Sequence, residues 1–235
     1  AMNFVSFNLV RWQALAPGLS KREDWQSWAE NGRAWAGFEG MLPVDKVPPM
    51  MRRRMSFLSK MAVHNALMLA NGEKVDYIIF SSRHGELSRT TTLLEDILSG
   101  KDPSPTFFSQ SVHNTAASHF TIIRENPIPA TSIGAGANSL SAALTEAGAY
   151  LSLHPRQNLL LVDFDAPIPP PYDQLMCVSH PGYALGLLLT SGDTMCATLA
   201  PVSHDEPVAL DVIDQLLRET DDDGKPVTKI KLKLA

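Results

Sequence analysis

Cysteine is scarce in this chain: Cys177 and Cys196 are the two in 235 residues. They do not form a CxxC pair, which argues against the common zinc and redox motifs. Such sparing use suits a reducing compartment. Charge is thin as well. Asp, Glu, Lys and Arg make up 19% of the chain, the net charge is -5, and no basic stripe of the kind that grips nucleic acid is present. The densest basic cluster, Arg52-Arg53-Arg54, reads as a solvated helix start. No apolar run approaches the ~20 residues of a membrane span. The N-terminus lacks the basic start and apolar core of a secretory signal. A soluble cytoplasmic protein is therefore expected. No histidines are spaced as HxxxH, so neither a metal nor a cofactor is expected. No GxSxG elbow for a hydrolytic serine occurs, and no repeat of solenoid period is visible.

What is present is apolar substance, 44% of residues, enough for one well-buried domain. Ala1 ahead of Met2 reads as a leftover of tag cleavage, and residues 2–235 as a single domain. Asn3 to Val10 alternates like a strand. A Trp-rich stretch follows, with Trp12, Trp25, Trp28 and Trp35, and reads as an irregular excursion held by hydrophobic packing. Met55 to Leu69 has helical spacing and ends at Asn71-Gly72. Val75 to Phe80 is a buried strand, followed by the polar segment Ser81 to Glu86. Helices are expected over Ser88 to Leu98, Ser109 to Ile123, Ala137 to Leu151 and Val208 to Leu217. Asn158 to Phe164 is a strong strand. Tyr183 to Thr190 and Thr194 to Leu199 read as strands paired through Ser191-Gly192-Asp193. Val227 to Leu234 alternates as an edge strand with lysines facing water. Strands alternating with helices predict an α/β layered domain around a central sheet.

The segment Phe107 to Leu144 (FFSQSVHNTAASHFTIIRENPIPATSIGAGANSLSAAL) resembles the nucleophile region of β-ketoacyl synthases. Its most specific piece runs from Ser111 to Ser118, SVHNTAAS. Gly134-Ala135-Gly136-Ala137-Asn138-Ser139-Leu140 is similar to the family's threonine-alanine-cysteine-alanine-serine-glycine pattern. Met51 to Ser56 with Ala62, and Tyr183 to Leu189, resemble the family too. The resemblance spans about Met51 to Ser191 and implies a thiolase-like (ketosynthase) layered fold, mainly its N-terminal half. Family members form an acyl thioester on a cysteine, then condense it with a malonyl unit under two histidines. The alignment puts Gly136 at the cysteine position; a slip of one residue puts Ala137 there. Neither can act as a nucleophile. Cys177 and Cys196 read as small buried hydrophobes. The histidine-glycine-threonine-glycine-threonine motif is absent, and the chain ends at Ala235, about half the family's length.

Among family members the chain resembles short ketosynthase-like proteins encoded beside aryl polyene pigment synthases, where such chains are similar to chain-length factors. It implies a non-catalytic partner that forms a heterodimer with a full-length ketosynthase in polyketide-type chain elongation and meets acyl carrier protein indirectly. Phe107, Phe108, Val112 and His113 are the implied gate or tunnel-lining residues. Ser111, Asn114, Thr131, Ser132, Ile133, Gly134, Ala135 and Asn138 are the implied partner interface. Two other readings stay open: a stand-alone thiolase-fold acyl-thioester enzyme, and an acyl- or carrier-protein-binding module.

Overall fold

The computed structural model describes residues 3–35, 45–53, 55–85, 116, 119–120, 123, 128–167, 174 and 180–235. The elements are β1 (Asn3–Leu15), α1 (Arg22–Glu30), α2 (Pro49–Arg52), α3 (Phe57–Ala70), β2 (Tyr77–Ser81), β3 (Ala130–Ile133), a 3-10 turn (Gly136–Asn138), α4 (Ser139–Leu153), β4 (Leu159–Asp165), β5 (Tyr183–Leu199), α5 (Val208–Glu219) and β6 (Ile230–Leu234). Ala116, His119, Phe120 and Ile123 are also helical. The expected helix over 88–98 lies outside the described residues.

One six-stranded sheet organises these elements. Its order is β1-β5-β4-β2-β3, with β6 also paired to β5. β2, β3 and β4 are mutually parallel, whereas β5 runs antiparallel to both β4 and β1. Parallel neighbours need crossover connections, and these place helices on the sheet faces. One face packs against α1, α4 and α5; the other packs against α3 and Phe120. β4 is buried along its whole length, as a strand covered on both faces must be.

The sequence accounts for the boundaries of α3. Ser56 accepts a hydrogen bond from the Ser59 N–H at 3.0 Å, a serine N-cap. At the other end Asn71 leaves the helix in an extended conformation and Gly72 takes φ +74. Buried residues occur nearly all round this helix, because packed segments cover the side turned from the sheet.

Two expectations are corrected. Tyr183–Thr190 and Thr194–Leu199 do not pair with each other; they are two parts of the single 17-residue strand β5. β1 is long enough to pair with both parts, Leu9 with Leu189 and Phe7 with Met195, and the ladder shifts register between Phe7 and Asn8. Residues 191–194 bulge out there, and the Asn8 side chain fills the gap. It accepts from the N–H groups of Asp193 and Thr194 and donates to the Ser191 carbonyl. The Trp-rich stretch is regular rather than irregular. Trp12 lies on β1, while Trp25 and Trp28, three apart, lie on the buried face of α1 with ring centroids 5.3 Å apart. β6 behaves as its alternation requires: Lys231 and Lys233 are exposed and Ile230, Leu232 and Leu234 buried.

Candidate functional site

The parallel strands β2, β3 and β4 finish at one end of the sheet, where open α/β sheets place their functional loops. After β3 the chain turns through Gly134, Ala135 and Gly136, all exposed, into the 3-10 turn and α4. Gly136 has φ +57, a left-handed conformation that costs a side-chain-bearing residue energy. A Cβ built there would meet nothing within 4 Å. The elbow therefore has room for a side chain and has none.

Ser139 fastens this elbow. Its Oγ accepts from the Ala135 N–H at 3.0 Å and donates to the Gly136 carbonyl at 2.7 Å. Asn138 Oδ1 accepts from the Val202 N–H at 2.9 Å, tying the turn to the segment after β5. Of the residues expected at the partner interface, Thr131, Ser132, Ile133, Gly134, Ala135 and Asn138 form one continuous run along β3 and the elbow. Gly136, expected at the nucleophile position, sits within it. Thr131 Oγ1 is hydrogen-bonded to the Tyr77 hydroxyl. Phe107, Phe108, Ser111, Val112, His113 and Asn114 lie outside the described residues, as does Cys177. Cys196 is on β5, in register with Ser6 of β1 and Lys231 of β6, and is buried in the half of the sheet away from the elbow.

The sequence reading overlooked a cluster of buried polar groups beside the elbow. Asp163 and Asp165, two apart on β4, share the face that packs against α4, as strand periodicity requires. Asp163 accepts from Ser81 Oγ at 2.7 Å and from the Tyr183 hydroxyl at 2.8 Å. Asp165 accepts from Ser82 Oγ at 2.8 Å and from the N–H groups of Arg83 and His84, both at 3.0 Å. Burial, and then the negative charge of Asp165, push the Asp163 carboxyl up to about 7. Burial raises Tyr183 well above the ordinary phenol value, with the two carboxylates adding to the shift. Burial lowers His84 and His180, and Asp165 partly opposes it in both. The signal in the sequence was two aspartates inside an otherwise apolar strand, LLLVDFD. Such residues are almost never buried without partners.

This cluster reaches the elbow through Ser82. Its N–H donates to the carbonyl of Ile133, the last residue of β3, at 3.1 Å. Its carbonyl lies 3.4 Å from Ser139 Oγ, and its own Oγ accepts from the Gly85 N–H at 2.8 Å. Chemically the cluster can hold a proton and fix two loops.

A cavity of about 260 Å³ lies elsewhere, lined by Arg11, Trp12, Arg22, Trp25 and Leu69 among others. Its two arginines already cap helix ends. Arg11 donates to the Leu69 and Asn71 carbonyls at the end of α3, and Arg22 to those of Leu217 and Thr220 at the end of α5. Among the described residues no group of three or more His, Cys, Asp or Glu could hold a metal ion, and no helix is long and apolar enough to cross a membrane.

Residues 25–225 match the family model of the β-ketoacyl synthase N-terminal domain, a wider span than the motifs alone suggested. The structure of a ketosynthase (ApeO) in complex with its chain length factor (ApeC) from Xenorhabdus doucetiae contains a chain 30% identical to this one. The alignment covers 92% of this chain and 93% of that one, with a TM-score of 0.79. The ishigamide ketosynthase/chain length factor is 16% identical over 86% of this chain and 64% of its own, with a TM-score of 0.63. A β-ketoacyl synthase from Burkholderia phymatum STM815 is 15% identical over 80% and 59%, with a TM-score of 0.58. At those identities the last two speak for the fold, which is thiolase-like. The curated proteins give no match.

Proposed function

The chain belongs to the β-ketoacyl synthase N-terminal domain family, and on that premise we propose that it is a non-catalytic, chain-length-factor-like subunit of a ketosynthase pair. It binds a complete ketosynthase, stabilises it and shapes its acyl tunnel during elongation of a polyketide chain, an aryl polyene being the product class the resemblance favours. The observation that carries this reading is Gly136. Thioester chemistry in the family needs a thiolate at the elbow, and the residue there has no side chain.

Two further features support it. The similar chain in the ApeO–ApeC complex is of nearly equal length, since the alignment covers almost the same share of both. β3 lies at the sheet edge, and among the described residues β2 is its sole strand partner. An open edge of this kind is a template for pairing with another chain. The partner interface is accordingly assigned to Thr131 through Ala135 with Asn138, and to Ser111 and Asn114. Phe107, Phe108, Val112 and His113 are assigned to the tunnel, where a bulky rigid side chain limits depth. Acyl carrier protein meets the assembly through the ketosynthase.

The test is reconstituted condensation with the ketosynthase encoded nearest to this chain. Activity should vanish when the partner's active cysteine is replaced and persist when Cys177 and Cys196 are replaced here. Thioester turnover by this chain alone, or loss of condensation in the Cys177→Ala, Cys196→Ala double variant, would overturn the reading. Phe108→Ala and His113→Ala should lengthen or broaden the product distribution while the complex survives. Unchanged products from both would remove the tunnel assignment and leave the subunit assignment standing.

A further inference from the structure

A continuous set of hydrogen bonds joins the buried carboxyls of β4 to the elbow, and its proton count has a consequence. The Tyr183 hydroxyl lies 2.8 Å from Asp163 Oδ2 and 3.4 Å from Asp165 Oδ2, and it has one proton to give. If Asp163 is ionised, that proton faces two carboxylates and goes to the nearer. If Asp163 is protonated, its own O–H can be donated to the Tyr183 oxygen, and Tyr183 is free to donate to Asp165. The state of Asp163 thus decides how fully Asp165 is satisfied. Asp165 in turn holds Ser82, Arg83 and His84, and Ser82 contacts both ends of the elbow through Ile133 and Ser139.

Among the described residues little positive charge faces the pair. From β4 it sees the other aspartate, from β5 Tyr183, from the segment ahead of β5 His180, and from the turn after β2 Arg83 and His84. Burial holds both histidines toward the neutral form. The Arg83 guanidinium is directed to Asp205, 3.6 Å from its carboxylate and 3.3 Å from its carbonyl. Two like charges this close in the interior are costly to keep together.

We propose that Asp163 and Asp165 are positioning residues, and that one proton held between them presets the elbow and the adjoining end of β3 for the partner. Loss of that proton to solvent loosens the docking surface, so assembly weakens in alkaline solution. The inference rests on the subunit reading given above. The raised proton affinity of Asp163 supports it, because it brings the transition to about 7.

The experiment measures the affinity of the full chain for its ketosynthase across the neutral range, for the native chain, Asp163→Asn and Tyr183→Phe. In parallel, amide-exchange protection factors are measured over residues 133–139 of the chain alone. Native affinity should fall above the transition by up to about tenfold per pH unit, the limit for one linked proton. Asp163→Asn, a neutral mimic of the protonated carboxyl, should be flat with pH. Tyr183→Phe removes a donor to the ionised form and also the hydroxyl that links Asp163 to Asp165, so its transition should move to higher pH and shrink. Equal pH responses in the native chain and Asp163→Asn would overturn the proposal. If Asp163→Asn does not fold, an unmoved transition in Tyr183→Phe overturns it. Failure to bind a ketosynthase at any pH would defeat the subunit reading instead. The protection factors still decide the positioning role: alkaline loss in the native chain but not in Asp163→Asn supports it, and identical behaviour refutes it.

Discussion

The all-parallel half of the sheet, β2, β3 and β4, and the half built on β5, with β1 antiparallel and β6 parallel to it, fill their interiors with different chemistry. Around the β5 half the core is mainly aliphatic and aromatic. Trp25 and Trp28 are almost wholly buried with Leu187, Leu189 and Ile213, and the buried polar groups described there are few: Thr220, which accepts from Trp12 Nε1 at 2.9 Å, and on the other face Asn65, which donates to the Gln13 and Ala184 carbonyls at 3.0 and 3.4 Å. Around the carboxyl end of the parallel half, Ser81, Ser82, Ser139, Asp163 and Asp165 are all buried, beside an exposed elbow and the strand β3, which has one strand partner among the described residues. Apolar packing stabilises without regard to pH. A buried polar cluster gives up stability to hold loops in one arrangement and responds to protons. The contrast suggests a division of labour: one half makes the domain stable, and the other presents a surface.

The largest expected effect comes from the apolar half. Trp25→Ala removes a fully buried indole and its 3.2 Å hydrogen bond to the Ala14 carbonyl, and should cost about 3–5 kcal/mol in urea unfolding. That loss should be the same at pH 5 and pH 8; a strongly pH-dependent loss would break the comparison.

The next effect belongs to the polar half. The Asp163 carboxyl is raised from 3.8 to about 7 on folding, so its stabilising contribution is complete below the unfolded value and lost as pH rises through the folded one. The contribution of this one group should therefore fall by a few kcal/mol, on the order of 1.36 kcal/mol per pKa unit, between acid and mildly alkaline solution. Asp163→Asn should flatten that part of the profile. The buried His84 and His180 contribute the opposite slope, so the test is the difference between the two profiles: a native-minus-variant difference that does not fall between pH 5 and pH 8 would contradict the assignment.

Smaller effects sharpen the contrast. Gly136→Ala should cost about 1 kcal/mol, from left-handed backbone strain alone, because no atom stands in the way of the new methyl. A much larger loss in the urea midpoint would mean that the elbow is packed rather than open. Arg33 pairs with Asp211 at 2.7 Å and Asp214 at 2.9 Å, joining the end of α1 to α5 at a partly exposed site. Arg33→Gln should cost under about 1 kcal/mol, and the difference should shrink as salt is raised.

Much of this arrangement is legible in the residues, for reasons that also explain the misreadings. The elbow is carried by a local pattern, a short strand followed by Gly134-Ala135-Gly136 and a small-residue helix, and local patterns survive without tertiary knowledge. The edge strand β6 is legible because its period-two alternation records which side meets water. The apparent hairpin at Ser191-Gly192-Asp193 misleads because a turn signal does not say who the partner strand is. β1 lies far off in sequence, yet it pairs with both parts of β5. The Trp stretch misleads because four large aromatics overshadow the i, i+3 spacing of Trp25 and Trp28 on a helix whose Asp24 accepts from the N–H groups of Ser20 and Lys21. Asp163 and Asp165 stayed hidden because the strand around them was read for its leucines. Two buried acids in such a setting make sense only with donors from β2 and β5, which the sheet alone brings together.

The most direct test of the central claim is the mass of what forms when this chain and the neighbouring ketosynthase are produced together and passed through size exclusion with light scattering at pH 6.5. The account predicts an equimolar assembly in which every copy of this chain is paired with a ketosynthase. A chain that elutes alone as a monomer, or only with copies of itself, would contradict it.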